Sequence, residues 1–169
     1  MKTLLNDVAK FQQAYDAPCH GSLKSSVDDE RLDTERQKLR LRLVFEEAVK
    51  ELMLGHGAPP DRIRALEAHF EEVLSHFEPH YVHDVPEVAD AITDAMYVLV
   101  GMALEYGMPL DHLWDEVQRS NMAKFPGGKV VRREDGKVVK PEGWQPPNIV
   151  EAMNKVSDAE WAAGDTVRT

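Results

Sequence analysis

The chain reads as an all-α protein, an antiparallel helical bundle of four to five helices with a C-terminal β-hairpin appended. Three observations predict this. Apolar residues recur at three- and four-residue spacing up to about residue 122, proline and glycine fall between the periodic stretches, and the pattern then changes to two short β-like runs.

Leu4, Leu5, Val8, Phe11 and Tyr15 carry the first helix, with Thr3 as its cap. Pro18 to Asp29, rich in serine and holding Gly21, is a loop. A long helix follows from about Asp33 to Leu54 and stops at Gly55, since glycine suits the left-handed position past a helix C-terminus. Gly57, Pro59 and Pro60 make the next turn. Asp61 to Phe77 sets Ile63, Leu66, Phe70, Val73, Leu74 and Phe77 on one stripe, and Pro79 ends it because proline cannot continue the hydrogen-bond ladder. Asp84 caps the next helix, with Pro86 in its first turn and Glu87 three residues after the cap; Val88, Ala91, Ile92, Ala95, Met96, Leu99 and Met102 carry it to Gly107. Pro109 opens a last helix with Leu113, Trp114 and Val117 facing inward. Lys129 to Arg132 and Lys137 to Lys140 flank Glu134-Asp135-Gly136, a hairpin signal near 129–140. Pro141 to Pro147 is proline-rich, and the stretch beyond holds a possible capping box, Ser157 with Glu160, but few apolar groups to dock it. We therefore expect a domain over residues 1–150 and a partly mobile tail over 151–169.

The 169 residues suit a single compact domain, and 43% apolar residues exclude disorder throughout. No apolar run is long enough to span a bilayer, so no membrane partner is expected. The N-terminal residues lack a sustained apolar stretch, which argues against a secretory signal. Cys19 is the single cysteine, which excludes an internal disulfide framework and fits a cytoplasmic protein. Thirty acids against 20 Lys and Arg give a net charge of −10, which argues against long nucleic acids, whose binding rests on neutralising phosphates. A binder of polyanions with this balance needs help from a cation.

The two strongest central helices each carry a group of acids. Glu46, Glu47 and Glu51 lie in Val44-Phe45-Glu46-Glu47-Ala48-Val49-Lys50-Glu51-Leu52, where Glu47 and Glu51 are about 40° apart around an α-helix and share a face. Glu87, Asp90 and Asp94 follow one another by single turns on the later helix, whose composition is mostly apolar with small residues Ala89, Ala91, Ala95 and Gly101. The plain reading is a pair of solvated faces, with Glu87 explained as a capping acid. Against it, the later helix looks largely buried. Two carboxylates about 4 Å apart repel by roughly 4 kcal/mol at an effective dielectric near 20, so facing acids need a cation. Oxygen-only ligands select Mg²⁺ or Mn²⁺ ahead of zinc.

Glu-Glu with a further Glu one turn on, then Glu-x-x-Asp on a later helix, resembles the all-α nucleoside triphosphate pyrophosphohydrolases that include MazG, dimeric dUTPases and phosphoribosyl-ATP pyrophosphohydrolase. The segment from Glu87 to Val98 looks like the second motif helix of that family. Glu116 to Phe125, followed by Arg133 to Lys140, is similar to the tail of its phage-type, phosphoribosyl-ATP pyrophosphohydrolase-like members. The resemblance covers roughly residues 4 to 150. In one place the chain departs from the pattern Glu-Glu-x-x-Glu: after Glu46-Glu47 the third acid arrives one residue late, at Glu51, with Lys50 in its place. Either Glu47 and Glu51 pair directly, or a one-residue π-bulge restores the register.

The resemblance implies hydrolysis of a nucleoside triphosphate between its α- and β-phosphates, with Mg²⁺ or Mn²⁺ as cofactor. It implies Glu47, Glu51, Glu87 and Asp90 as metal ligands, Glu46 and Glu47 as catalytic acids with Glu46 the candidate general base, and Asp94 behind the ligands. Asn121 and Lys124 fall where the family contacts substrate; the alternative is ordinary polar residues at a helix C-terminus. The family also implies a homodimer or homotetramer, for which Trp114, Phe125 and Trp144 are interface candidates. Arg132, Arg133, Lys137 and Lys140 form a basic strip with two readings, contact with polyphosphate or, by default, a solvated hairpin. A zinc site from His69, His76, His80 and His83 competes, but Pro79 interrupts the helix that would align them. The competing class is a noncatalytic helical assembly or regulatory protein with structural carboxylates.

Overall fold

In a computed structural model, the described residues are 2–21, 33–77, 85–128, 130–133 and 138–155. They form α1 (Lys2–Ala14), α2 (Thr34–Phe45), a π-helical turn (Glu46–Glu51), α3 (Leu52–Gly55), α4 (Pro60–Ser75), α5 (Val85–Glu105), α6 (Leu110–Met122), a 3₁₀ turn (Pro126–Gly128) and α7 (Ile149–Asn154). The all-α class is as expected.

The helix ends follow from local backbone chemistry. The Asp33 carboxylate accepts from the Arg36 amide at 2.8 Å and opens α2. Pro59 and Pro60 begin α4, where the missing amide donor costs nothing. Gly107, at φ 63°, closes α5: its amide donates to the Leu104 carbonyl at 3.0 Å and the Met108 amide to Ala103 at 2.9 Å. The same closure ends α3, but at Gly57 (φ 86°) and not at Gly55, which is still helical. The left-handed residue belongs two positions beyond the last helical one. Asp16, at φ 54°, does the same for α1 without the freedom of glycine. Thr3 lies inside α1, so it is not the cap. Asp84, Pro79 and the Ser157–Glu160 box lie outside the described residues.

The expected hairpin is reduced to one isolated antiparallel bridge between Arg132 and Val138, with the Val139 amide donating to Val131 at 2.8 Å. The described residues contain no named strand, and the turn residues 134–137 lie outside them. A single bridge gives too few ladder bonds to make a sheet. Among the described residues the last helix is α7, which the sequence pattern does not announce because it is only six residues long.

The chain divides into two compact units, His20–Asp84 and Met1–Cys19 with Val85–Thr169. In the first, Phe45 stacks on Phe70 with centroids 4.2 Å apart, and Ile63 and Leu74 are buried. Arg42 grips Glu71 through a two-pronged contact, Nε to Oε1 and Nη2 to Oε2, each 2.8 Å, which joins α2 to α4. In the second unit, Phe11, Tyr15 and Phe125 form an aromatic cluster with centroids 5.3 to 6.3 Å apart, and Trp114 Nε1 donates to Asp7 Oδ2 at 3.2 Å. Trp114 and Phe125, expected at a subunit interface, are therefore used inside their own unit. The Ser120 hydroxyl, 1% exposed, donates to the Gln145 carbonyl at 3.0 Å, and the Asn148 amide donates to Glu116 Oε1 at 2.7 Å. Both bonds hold the 145–148 strand of chain and α7 against α6.

Two outcomes follow from this packing. Ser120→Ala removes the buried hydroxyl that donates to the Gln145 carbonyl and should lower stability by about 1 kcal/mol in chemical denaturation; an unchanged midpoint would contradict it. Arg119 beside Glu116, and then the Asn148 amide, lower the Glu116 carboxyl from its ordinary 4.5 to about 2. A lowered folded value means the contribution is full above the ordinary value and is lost as pH falls from 4.5 toward about 2. Glu116→Gln should therefore melt below wild type at neutral pH, and the gap should close across that window; a gap independent of pH would exclude the linkage.

Candidate functional site

The first acid group lies in the His20–Asp84 unit. Between α2 and α3 the chain does not continue as an α-helix: Glu46–Glu51 is a π-helical turn. In such a turn the amide bonds reach five residues back, so one extra residue is taken up within a single turn and the helix beyond resumes its register. Of the two arrangements the sequence allows, the structure therefore has the bulge. Glu51, though one residue late, follows Glu46-Glu47 as the third acid of an uninterrupted Glu-Glu-x-x-Glu would.

Lys50, the residue that causes the lateness, has its own partners. Its ammonium donates to Glu67 Oε1 on α4 at 3.0 Å and to Glu46 Oε2 at 3.2 Å. Glu67, then Glu46, raises its pKa above the ordinary lysine value. Glu46 is half-buried and held by this cation, whereas Glu47 and Glu51 are exposed. The π turn thus separates the three acids into one engaged with Lys50 and two facing solvent.

The second group lies in the other unit. Glu87, Asp90 and Asp94 occupy successive turns of α5, all three exposed. The expectation that α5 is largely buried is corrected: every residue from Val85 to Val100 is exposed in the single chain, including Ile92 at 58%, Val98 at 64% and Tyr97 at 81%. The helix is apolar enough for a core, yet the chain alone does not cover it. Burial is therefore not what drives these acids toward a cation; in the single chain their charge is solvated.

The donor chemistry fits a hard cation. Glu47 and Glu51 in one unit, and Glu87 and Asp90 in the other, offer only carboxylate oxygens, the ligand type that Mg²⁺ and Mn²⁺ prefer. Among the described residues, Glu51, Asp90 and Asp94 make no ion pair or side-chain hydrogen bond, and no group of three or more His, Cys, Asp or Glu side chains is placed to hold a metal. Of the four expected ligands, Glu47 and Glu51 lie in one unit and Glu87 and Asp90 in the other. The rival zinc set is engaged locally: His69 Nδ1 meets Glu72 at 3.2 Å and His76 Nδ1 donates to the Glu72 carbonyl at 2.8 Å, while His80 and His83 lie outside the described residues.

Asn121 and Lys124, read as substrate contacts, come together at the C-terminal end of α6, where Lys124 Nζ donates to Asn121 Oδ1 at 2.8 Å. Two further residues join them, Trp144, which the sequence reading offered as an interface candidate, and Lys140 of the basic strip. The Trp144 ring lies 5.6 Å from Lys124 Nζ and 4.1 Å from Lys140 Nζ, and its Nε1 donates to the Ser120 carbonyl at 2.9 Å. Pro141 with Gly143 was the available signal, since a tight turn there folds Lys140 back over Trp144. Arg132 of the basic strip is occupied differently, its Nη2 donating to the Tyr15 carbonyl at 2.8 Å with its guanidinium 4.5 Å from the Tyr15 ring centroid.

Comparison with known proteins gives three results. The family model for phosphoribosyl-ATP pyrophosphohydrolase matches residues 8–121, a stretch that contains both acid groups. A crystal structure of a candidate NTP pyrophosphohydrolase from Exiguobacterium sp. 255-15 is similar over 98% of this chain and 98% of its own, with 27% identity and a TM-score of 0.62. No curated protein matches significantly. With a match over more than half its length, on helices that carry the expected acids, the chain belongs to the phosphoribosyl-ATP pyrophosphohydrolase family and is a pyrophosphohydrolase.

Proposed function

We propose that this enzyme is a metal-dependent nucleoside triphosphate pyrophosphohydrolase, cleaving the α–β phosphoanhydride of a (d)NTP or related nucleotide to the monophosphate and pyrophosphate. The observation that carries this reading is the π turn at Glu46–Glu51, which keeps the acid pattern in register despite the extra residue. The solved relative, described as a candidate NTP pyrophosphohydrolase, supports the substrate class.

Glu47, Glu51, Glu87 and Asp90 are the residues that would hold Mg²⁺ or Mn²⁺. When bound, such an ion neutralises phosphate charge and lowers the pKa of coordinated water. The chain's own part is to position and to move a proton. Water attacks the α-phosphorus, the bond to the bridging oxygen breaks, pyrophosphate leaves, and a carboxylate takes the water's proton. Glu46 is our candidate for that base, fixed in place by Lys50. Asp94, one turn beyond Asp90, lies behind the ligands on α5. Asn121 offers an amide for base or sugar and Lys124 an ammonium for phosphate.

The working state in this reading is a homodimer or homotetramer. The exposed apolar length of α5, from Val85 to Val100, supports it, because contiguous apolar surface of that kind is unfavourable in water unless covered. Among the described residues no helix is long and apolar enough to cross a membrane. With Cys19 as its single cysteine, we place the enzyme in the cytoplasm.

The test is a panel of dNTPs and NTPs with Mg²⁺, followed by ³¹P NMR. Pyrophosphate and a monophosphate are expected; orthophosphate alone, or no turnover with any nucleotide, would overturn the reading. Glu47→Ala and Asp90→Ala should each reduce turnover at least about a hundredfold with helicity intact, and an unaltered rate in either would exclude the proposed ligand set.

A further inference from the structure

Lys140 and Trp144 belong to neither acid group, yet the structure builds a fixed feature from them. The segment Pro141–Trp144 is a tight turn closed by the Trp144 amide donating to the Pro141 carbonyl at 3.0 Å, with Gly143 at φ 76°. The indole is pinned from its other end by the 2.9 Å bond to Ser120, whose own hydroxyl is held by Gln145. Onto this ring come two ammonium groups from different parts of the chain, Lys140 at 4.1 Å and Lys124 at 5.6 Å from its centroid. Lys140 makes no ion pair with a carboxylate among the described residues.

Two like charges so close lie within or near a Debye length of one another and repel. The negative face of an indole offsets part of that repulsion. A ligand that supplies several negative charges in a row can meet both ammonium groups at once. In a chain of net charge −10, two ammonium groups on one pinned indole are suited to a linear polyanion and not to a nucleobase, since Lys140 already lies over the ring that a base would stack on.

We propose that Lys124 and Lys140, gathered on Trp144, form a clamp for the polyphosphate chain of the substrate. This deepens the nucleotide reading above and rests on it for the identity of the substrate. Trp144 is a positioning residue that holds the pair together. The two lysines are the binding groups.

The probe is sodium tripolyphosphate, titrated calorimetrically into the full-length protein in buffer containing EDTA, so that neither metal nor turnover contributes. Wild type should bind, Lys140→Gln should bind about tenfold more weakly or worse, and Lys140→Arg should stay near wild type. With a nucleotide that turns over, Lys140→Gln should raise KM with kcat little changed. Tripolyphosphate binding that is absent in wild type, or equal in wild type and Lys140→Gln, would overturn the clamp. So would a Lys140→Gln variant that loses only thermal stability. These outcomes are separable from the function itself: nucleotide turnover with binding insensitive to Lys140 removes the clamp alone, whereas binding that depends on Lys140 without turnover of any nucleotide removes the hydrolase reading and leaves a polyphosphate-binding pair.

Discussion

The constraint on which the site depends is the accommodation of one extra residue inside a helix. An insertion in an α-helix would rotate everything beyond it by a residue's worth of turn, leaving Glu51 on the face of Glu47 but about 140° around the helix from Glu46. Here the change is confined to the Glu46–Glu51 turn, and α3 continues from it. The inserted position holds a lysine whose stem and charge are used, bridging Glu46 to Glu67 on α4. Phe45 on Phe70 and Arg42 on Glu71 hold the same two helices together just before the bulge. The π turn is thus flanked by tertiary contacts of three kinds, aromatic, bidentate and bridging.

Charge explains much of the remaining design. Acids dominate the sequence, and the structure gives them different company. Glu71, Glu67, Glu46 and Glu116 are each matched by a specific cation on a defined partner. Glu51, Asp90 and Asp94 have no such partner among the described residues. Of these, the family resemblance assigns Glu51 and Asp90 to metal and sets Asp94 behind the ligands. On the same unit as α5, the cations Lys124 and Lys140 are collected on one aromatic ring.

Most helices were legible because their signals are local. Periodicity located α1, α4, α5 and α6, and proline and glycine punctuated them, although the terminating glycine of α3 was misplaced from Gly57 to Gly55. That error has a physical source: either glycine could end the helix, and the choice depends on which amide reaches the Leu54 carbonyl. The acids of the candidate site were legible as a pattern, and the lateness of Glu51 was enough to raise a π-bulge as one of two solutions. Burial was not legible. The apolar composition of α5 reads as core, but composition reports what a surface would gain by being covered and not whether one chain covers it. The Trp144 assembly was hidden for another reason, since it joins residues on α6 to a turn some twenty positions on, and no spacing rule connects them.

The central claim is that the bulge preserves a working acid face, so the most direct measurement is to remove its cause. Deleting Lys50 should convert the Glu46–Glu51 turn to ordinary α-helix and leave the three acids in the spacing Glu-Glu-x-x-Glu. Pyrophosphate release with Mg²⁺, compared in wild type, the deletion and Glu47→Ala, decides the matter. Turnover in the deletion within about tenfold of wild type is the predicted result, the loss reflecting only the missing bridge to Glu67 and Glu46. A deletion that keeps its helicity but falls to the level of Glu47→Ala would show that the face depends on the extra residue itself, and the account would be wrong.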